Sequence, residues 1–248
     1  MTSNDNSSSP KKGQAAVDAR LWTTPWDGPS AMLRRAWSLL RKEGLRGLLG
    51  GSGRFVGALG RRMFQSETYR LYECRVDEAA LMPVATPSEE IDLRLIETRE
   101  DARKLVAEGY EDIPSTIPRS GRRLDSGAVA ACAFVRKEFA SIDWIALSGA
   151  AKLAIDELPY TVDFENREVC TGGAFVARRF RRRGIAAYRF SVQVQYMHHR
   201  GCLVCRNAIA PDNIPSQRGV ERHGGRYDRI GHCRRILWWE SWKETAVE

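Results

Sequence analysis

Long apolar runs are missing from this sequence of 248 residues. A membrane-spanning helix needs about 20 consecutive apolar residues, and no stretch of the chain approaches that length. Residues 1–14 are polar and lack the apolar centre of a secretory signal peptide. We therefore expect a cytoplasmic protein without a transmembrane segment.

A second C-x-x-C pair, which many cysteine-based zinc sites use, is also missing. The six cysteines are scattered through apolar, strand-like segments, and Cys202 and Cys205 form a lone C-x-x-C. On a strand, residues at positions i and i+3 face opposite sides of the sheet. The sequence therefore predicts buried, reduced thiols, which fit a cytoplasmic location, and it predicts no metal site.

The sequence shows no helix pair typical of DNA-binding proteins and no aromatic signature typical of RNA-binding domains. Its net charge of +8 and its pI of about 9.4 nevertheless favour an anionic partner. Anionic lipid and a phosphorylated cofactor both fit this charge, whereas we do not expect nucleic acid to bind.

Three regions of the chain differ in composition. Residues 1–20 are polar, which predicts a disordered tail. Residues 21–90 form a basic, amphipathic helical extension and a linker, and residues 30–64 hold eight basic residues and one acidic residue. Two interpretations of this basic segment stay open: peripheral binding to anionic lipid at the inner face of the membrane, or a helical cap on the domain that follows, residues 91–248.

An arginine-rich loop joins an apolar strand, predicted from Glu168 to Val176, to a helix that begins after Gly184. The first N–H groups of a helix lack intrahelical partners, and the helix dipole adds positive charge there. Small side chains let a ligand approach the backbone, and guanidinium groups suit phosphate. The pattern predicts a phosphate or pyrophosphate site formed by Arg181, Arg182, Arg183, Gly184, Ile185 and Ala186.

The same loop resembles the acyl-CoA loop of the GNAT N-acetyltransferase superfamily, whose pattern is Gln/Arg-x-x-Gly-x-Gly/Ala. The family's upstream valine and its second motif are also present. That second motif is Asn-x-x-Ser/Ala followed by a short helix that ends in glycine. Both motifs occur in the family's order and spacing, and the resemblance covers roughly residues 91–242. The residues that carry it are Val176, Arg181, Gly184, Ala186, Asn213, Ser216 and Gly224.

The resemblance implies the GNAT fold, an α/β (α+β) architecture in which helices flank a mixed central β-sheet, here with the basic helical extension in front. It implies that the backbone near Phe175 and Val176 pairs with the pantetheine arm of acetyl-CoA, or another acyl-CoA, as an added strand. The arginine loop would hold the pyrophosphate, and Asn213 and Ser216 would contact the arm. The implied reaction is direct transfer of an acetyl group to a primary amine.

Direct transfer to an amine needs a base for the ammonium group, an oxyanion donor and a proton for the leaving thiolate. The candidate base is Glu168, because the histone-acetyltransferase branch places a strand glutamate at this position. Asp163 and Glu165 are alternatives that would act through water.

The proton donor departs from the family pattern. Val220 stands where many members have a tyrosine, so Tyr227 is the candidate acid and His223 an alternative. Solvent can also protonate the thiolate, because the pKa of a thiol is only about 8.5. Beside the N-acyltransferase, a second function therefore stays open: a non-catalytic module on the same scaffold that binds CoA or a membrane surface.

Overall fold

The structure is a computed structural model that describes residues 64–84, 86–236 and 239–247. The predicted tail and the basic segment lie outside these residues, apart from the last residue of the segment. The strands are β1 (Phe64–Arg75), β2 (Asp92–Ile96), β3 (Val129–Val135), β4 (Glu138–Ala146), β5 (Glu168–Val176), β6 (Val204–Ile209), β7 (Arg226–Ile236) and β8 (Trp239–Ala246). The helices are α1 (Val76–Ala80), α2 (Arg99–Ala107), α3 (Ile113–Thr116), α4 (Ser120–Asp125), α5 (Gly149–Ile155), α6 (Ile185–His199) and α7 (Ile214–Glu221).

The eight described strands form one sheet in the order β2-β3-β4-β5-β6-β1-β7-β8. β5 and β6 are parallel, and the other neighbouring strands are antiparallel. Helices cover both faces. The structure therefore confirms the predicted mixed sheet flanked by helices.

Strand β1 lies in the middle of the sheet, between β6 and β7. It pairs with β6 from Arg70 to Arg75 and with β7 from Phe64 to Glu73. The sequence-based boundary at residue 91 leaves this strand in the extension, whereas the structure makes it part of the sheet. Nothing local marks β1 as a central strand, because its two partners lie far along the chain.

The core lies on both faces of the sheet around β3, β4 and β5. Every residue of β3 is buried, as expected for a strand covered on both faces. On one face, Ile142 and Trp144 of β4 belong to the cluster that α2, α3, α4 and α5 complete. On the other face, Ile145 and Val169 pack under α6. Ile142 and Trp144 share a face because alternate residues of a strand point to the same side of the sheet.

Helix α6 also carries a buried ion pair. Arg189 Nη2 lies 3.4 Å from Asp143 Oδ2, and Arg189 Nη1 donates to the Ile142 carbonyl at 2.9 Å. Burial raises the pKa of Asp143 and lowers that of Arg189, and the attraction between the two groups opposes both shifts. The pair fixes α6 against the middle of β4.

Two local features differ from the sequence-based expectations. Serine is a favoured N-cap residue, so the sequence predicts that Ser216 caps α7. The N-cap residue is instead Asn213, whose side chain accepts a hydrogen bond from the Ser216 N–H at 3.4 Å. The sequence of residues 153–164 has no clear periodicity, and helix α5 ends within the first residues of this stretch. Ser148 is the N-cap residue of the helix. A helix of seven residues is too short to establish an apolar period.

Candidate functional site

Strands β5 and β6 pair with each other over only the first part of β5. The parallel ladder joins residues 168–170 of β5 to residues 204–206 of β6. Beyond it, β5 continues to Val176 and β6 to Ile209 without further pairing between them. We call the opening between residues 171–176 of β5 and residues 207–209 of β6 the split.

A side chain marks the closed end of the split. Asn207 is buried, and its Nδ2 donates to the carbonyl oxygen of Thr171 at 3.2 Å and to the Thr171 hydroxyl. The Thr171 carbonyl is therefore satisfied without a ladder bond from the β6 backbone. The strands part beyond this point without leaving that buried carbonyl unpaired.

A β-bulge lies at the same end of the split. Between the pairs Ile142–Phe175 and Trp144–Gly172, two residues of β5 lie opposite one residue of β4. Gly173, the first of the two, has a φ of +71°, which favours glycine. A Cβ at this position would come within 3.2 Å of Trp144 Cδ1. The bulge re-aims the backbone of β5 just where the split begins.

The amino ends of α6 and α7 lie at the edge of the sheet where the split opens. Parallel strands end at the same edge, and β5 leads to α6 as β6 leads to α7. Gly184, the N-cap residue of α6, has a φ of +79°, and no side chain caps this helix. The first N–H groups of α6 therefore remain available to an anion, which the helix dipole also favours.

Residues 177–184 form the arginine loop that precedes α6. Arg181 Nε donates to the Val176 carbonyl at 3.1 Å and ties the loop to the end of β5. Arg182 is exposed and has a φ of +65°. Arg183 Nη1 lies 3.1 Å from Glu89 Oε1. The loop thus presents exposed guanidinium groups beside the uncapped end of α6.

Apolar side chains within and beside the arginine loop pack into the core and hold the loop in place. Ile185 is 1% exposed and packs with Phe180, and Val176 joins the same cluster. Phe175 stacks on Phe139 with ring centroids 6.2 Å apart. Ala186, in contrast, is exposed. The predicted anion-site residues therefore divide into apolar anchors and a small, open first turn of α6.

Asn213 and Ser216 lie at the start of α7, at the same edge of the sheet. Their described contact is the cap itself, and Asn213 is exposed while Ser216 is partly exposed. The sequence motif therefore has a structural role at a helix end beside the split. Contact with a cofactor arm stays a prediction for both residues.

Glu168 lies at the paired end of β5, four residues and about 13 Å along the strand from Gly172. Arg206 donates to both of its carboxylate oxygens, at 2.7 and 2.6 Å, and the Asp163 N–H donates at 2.8 Å. Burial raises the pKa of Glu168, but these hydrogen bonds and the Arg206 charge lower it by more. The structure thus gives Glu168 an ion-pair partner on β6, beyond the closed end of the split.

Tyr227 packs against a cluster that includes Ile209, the last residue of β6 at the split. Its strand, β7, is separated from β6 by β1, and its ring packs against Tyr72 with centroids 5.7 Å apart. His223 is buried, and both ring nitrogens have partners: the Ser191 hydroxyl at 3.1 Å and the Gly219 carbonyl at 2.9 Å. The role of Tyr227 as an acid stays a prediction.

Sequence reasoning missed Asp156, the residue that ends α5. A Cβ at Gly172 would lie 3.7 Å from Asp156 Cβ, so this side chain sits directly over the start of the split. Asp156 is partly exposed, and its Oδ1 accepts a hydrogen bond from the Leu158 N–H at 2.9 Å. The one sequence signal for this segment is the serine at position 148 that caps α5.

No group of three or more His, Cys, Asp or Glu side chains within the described residues is arranged to hold a metal ion. All six cysteines are free and buried, as the sequence predicts. In the same part of the chain, no helix is long and apolar enough to cross a membrane.

No family model and no curated protein matches this chain. Solved structures that it resembles include an acetyltransferase of the GNAT family from Novosphingobium aromaticivorans, with 16% identity and a TM-score of 0.41 over 68% of this chain and 64% of the other. A GCN5-related N-acetyltransferase from Sphaerobacter thermophilus shows 14% identity and a TM-score of 0.44 over 79% and 56% of the two chains. One from Kribbella flavida shows 12% identity and a TM-score of 0.42 over 74% and 64%. The match thus spans less than two thirds of each of these proteins.

Proposed function

We propose that this protein is an acyl-CoA-dependent N-acyltransferase, which transfers an acetyl group from acetyl-CoA to a primary amine by direct attack. The observation that carries this proposal is the split between two parallel strands, with an uncapped helix end and an arginine loop at its open edge. A diphosphate joined to a long, amide-containing arm is complementary to both features.

The arginine loop and α6 suit the diphosphate. Arg181 and Arg182 bring positive charge to the amino end of α6, where the backbone N–H groups have no side-chain cap. Such N–H groups and guanidinium forks bind phosphate oxygens. Gly184 has no side chain, and backbone atoms of Pro87 and Thr86 lie 3.4 and 3.6 Å from the position that a Cβ would take there, so residues 86 and 87 run beside the start of α6.

The split suits the extended arm. The β6-facing side of residues 171–176 has no partner strand, so an arm with amide groups can pair there as an added strand. An arm that starts at the arginine loop and runs past Val176 stops at the closed end, because the β5–β6 ladder and Asn207 block the way. The reacting end of the arm would therefore lie near Gly172.

Acyl-CoA supplies the acyl group as a thioester, and the chain must orient the amine, remove its proton and stabilise the oxyanion. The bulge at Gly173 leaves backbone out of the ladder at the closed end of the split, where a backbone N–H suits a developing oxyanion. The reaction also requires a base near this end of the split to remove the proton from the amine.

A second candidate function is CoA binding without catalysis. One observation favours it: Arg206 engages both carboxylate oxygens of Glu168. The two candidates differ in one measurement, which is thiol release from acetyl-CoA in the presence of primary amines.

Thermal unfolding with and without CoA tests the binding site that both candidates share. A ligand that binds only the folded state at a hundred times its Kd stabilises it by about 2.7 kcal/mol. We expect a clear rise in Tm with CoA, a smaller rise with dephospho-CoA and none with pantetheine at the same concentration. A folded protein whose Tm ignores millimolar CoA would contradict the proposed site.

A further inference from the structure

Asp156 lies over the start of the split, on the face of the sheet that α2, α3, α4 and α5 cover. Its Cβ is 3.7 Å from the position of a Cβ on Gly172, and Ile155 Cδ1 is 3.9 Å from the same position. Because Gly172 has no side chain, the backbone of β5 and this carboxyl-bearing segment approach each other closely. Asp156 therefore contacts β5 at the residue next to the closed end of the split.

The surroundings of Asp156 extend across the split. Its charge acts on Tyr69, which belongs to β1, two strands from β5. The segment that follows Asp156 crosses the same face, since the Thr161 N–H donates to Glu244 Oε1 on β8 at 3.2 Å. Asp156 thus belongs to a segment that crosses the face of the sheet over the split, and it is not part of the β5–β6 ladder.

We infer that the carboxylate of Asp156 is the base that deprotonates the acceptor amine in the proposed N-acyltransferase. The inference rests on the proposed function. It replaces Glu168, whose two carboxylate oxygens are held by Arg206 at 2.6 and 2.7 Å on the far side of the closed end.

The hydrogen bonds of Asp156 fit this role. The Leu158 N–H holds Oδ1 at 2.9 Å, which fixes the orientation of the carboxylate. The ammonium group of the acceptor gives one proton to this carboxylate. The neutral nitrogen then forms a bond to the thioester carbon as the C–S bond breaks, and the electron pair of that bond stays on sulfur. The second N–H proton ends on the thiolate, and Asp156 returns its proton to solvent.

The pKa of Asp156 moves in the direction that a base needs. Burial raises it, while the Leu158 N–H, Lys152 and Tyr160 lower it by less and Glu157 adds to the rise. Tyr69 and Cys170 also feel the charge of Asp156 from β1 and β5. A carboxylate with a raised pKa accepts a proton from an ammonium group more readily than an ordinary one.

The Asp156→Asn variant tests the inference in the full chain. A screen for thiol release from acetyl-CoA with ethanolamine, lysine, spermidine and glucosamine provides the acceptor. At neutral pH we expect kcat to fall on the order of 10²–10⁴-fold, the usual contribution of a base. The rise in Tm with CoA should persist, because the arginine loop is unchanged.

The pH profile separates a base from a residue that only supports the fold. The variant depends on amine that is already neutral in solution. As the pH is raised towards the pKa of the acceptor, the activity of Asp156→Asn should therefore rise about tenfold per pH unit. Asp156→Glu keeps a carboxylate and should recover part of the loss. The matched control is Glu157→Gln, which removes the neighbouring exposed carboxylate, 3.7 Å from Arg119. Because Glu157 adds only a minor part to the raised pKa of Asp156, this variant should lower kcat far less than Asp156→Asn does.

The outcomes distinguish this inference from the proposed function. A wild-type enzyme that turns over while Asp156→Asn keeps its rate and its pH profile overturns the role of Asp156 alone. Equal losses in Asp156→Asn and Glu157→Gln, without recovery at high pH, also overturn it. A wild-type protein that binds CoA but releases no thiol with any acceptor overturns both.

Discussion

The two halves of β5 contrast within a single strand of nine residues. Residues 168–170 pair with β6, and charged side chains reinforce the ladder: Arg206 contacts Glu168 at 2.6 Å and Glu73 at 3.3 Å. Residues 171–176 form no ladder pairs with β6 and contain two consecutive glycines and a bulge. The first half holds the sheet together, and the second half leaves backbone available for a ligand.

The difference between the two halves shows how a ligand-binding site can form along the unpaired edge of a strand within a sheet. Withholding ladder bonds from one half exposes backbone groups that a ligand can pair with. The cost of unpaired backbone is limited by Asn207, which satisfies the Thr171 carbonyl at the point where the strands part. The ion pairs of the closed half keep the split from extending along the whole strand.

Gly184→Asp should have the largest effect of these variants, because it weakens the binding of CoA to the open half of β5. The substitution adds a negative charge at the amino end of α6 and a side chain at a φ of +79°. The lost charge-assisted contacts amount to about 3 kcal/mol, or on the order of a hundredfold in Kd for CoA. Isothermal titration calorimetry with CoA measures the change.

Gly127→Asp is the matched control for this variant. Gly127 has a φ of +80°, and a Cβ placed there meets no atom within 4 Å. It therefore carries the same backbone strain and the same charge away from the arginine loop. If both variants bind CoA equally well, the arginine loop is not the diphosphate site.

Glu168→Gln attacks the closed half and should lower stability rather than binding. It leaves Arg206, which is 15% exposed at its side chain, without its closest carboxylate. Arg206 keeps Glu73 at 3.3 Å and Asp228 at 3.9 Å, but the lost hydrogen bonds to a charged carboxylate contribute about 1.5–3 kcal/mol. Urea unfolding measures the loss, and Glu100→Gln, which breaks the exposed ion pair with Arg103, should change the free energy of unfolding by less than about 1 kcal/mol.

The effect of Glu168→Gln should depend on pH with a known sign. Burial raises the pKa of Glu168, yet Arg206 lowers it by more, so the folded-state pKa is below the unfolded-state value. Such a group stabilises the fold fully above the unfolded-state pKa of about 4.3 and loses this contribution as the pH falls through the folded-state pKa. The stability difference between wild type and variant should therefore be full at neutral pH and shrink below about pH 4. A difference that grows on acidification would contradict the ion-pair role.

Much of the open half could be predicted from sequence. Strand β5 has the predicted bounds, Glu168–Val176, and the arginine loop and α6 follow it as expected. These elements have local signals: an apolar run, a glycine at a helix start and a two-sided apolar helix. The orientation of Ile142 and Trp144 also follows from the period of two in a strand.

The pairing of residues 168–170 with β6 and the position of Asp156 over the split could not be predicted in this way. The Glu168–Arg206 pair joins residues 38 positions apart, and β1 takes its place in the sheet through distant partners. Asp156 follows a helix too short to show a period. These features depend on tertiary pairing, which leaves no local pattern, so no sequence pattern marks Asp156.

Backbone hydrogen exchange should show the smallest effect and the sharpest contrast between the halves. Amides of residues 168–170 lie in a closed ladder, whereas amides of residues 171–176 that face β6 have no strand partner. An arm that pairs along the split protects only the second group. CoA should therefore slow exchange in the peptide that contains Gly173, Ala174 and Phe175 and leave the peptide that contains Val169 unchanged.

The control for this experiment lies within β5, because amides that face β4 keep their ladder partners with or without ligand. Their exchange should change only as far as global stability changes, and Gly184→Asp should abolish the local protection while the β4-facing amides stay slow. Uniform protection of both halves by CoA would mean that the ligand stabilises the fold from elsewhere. Protection confined to the open half requires the ligand to occupy the split, since no other change affects one edge of a strand without affecting the other.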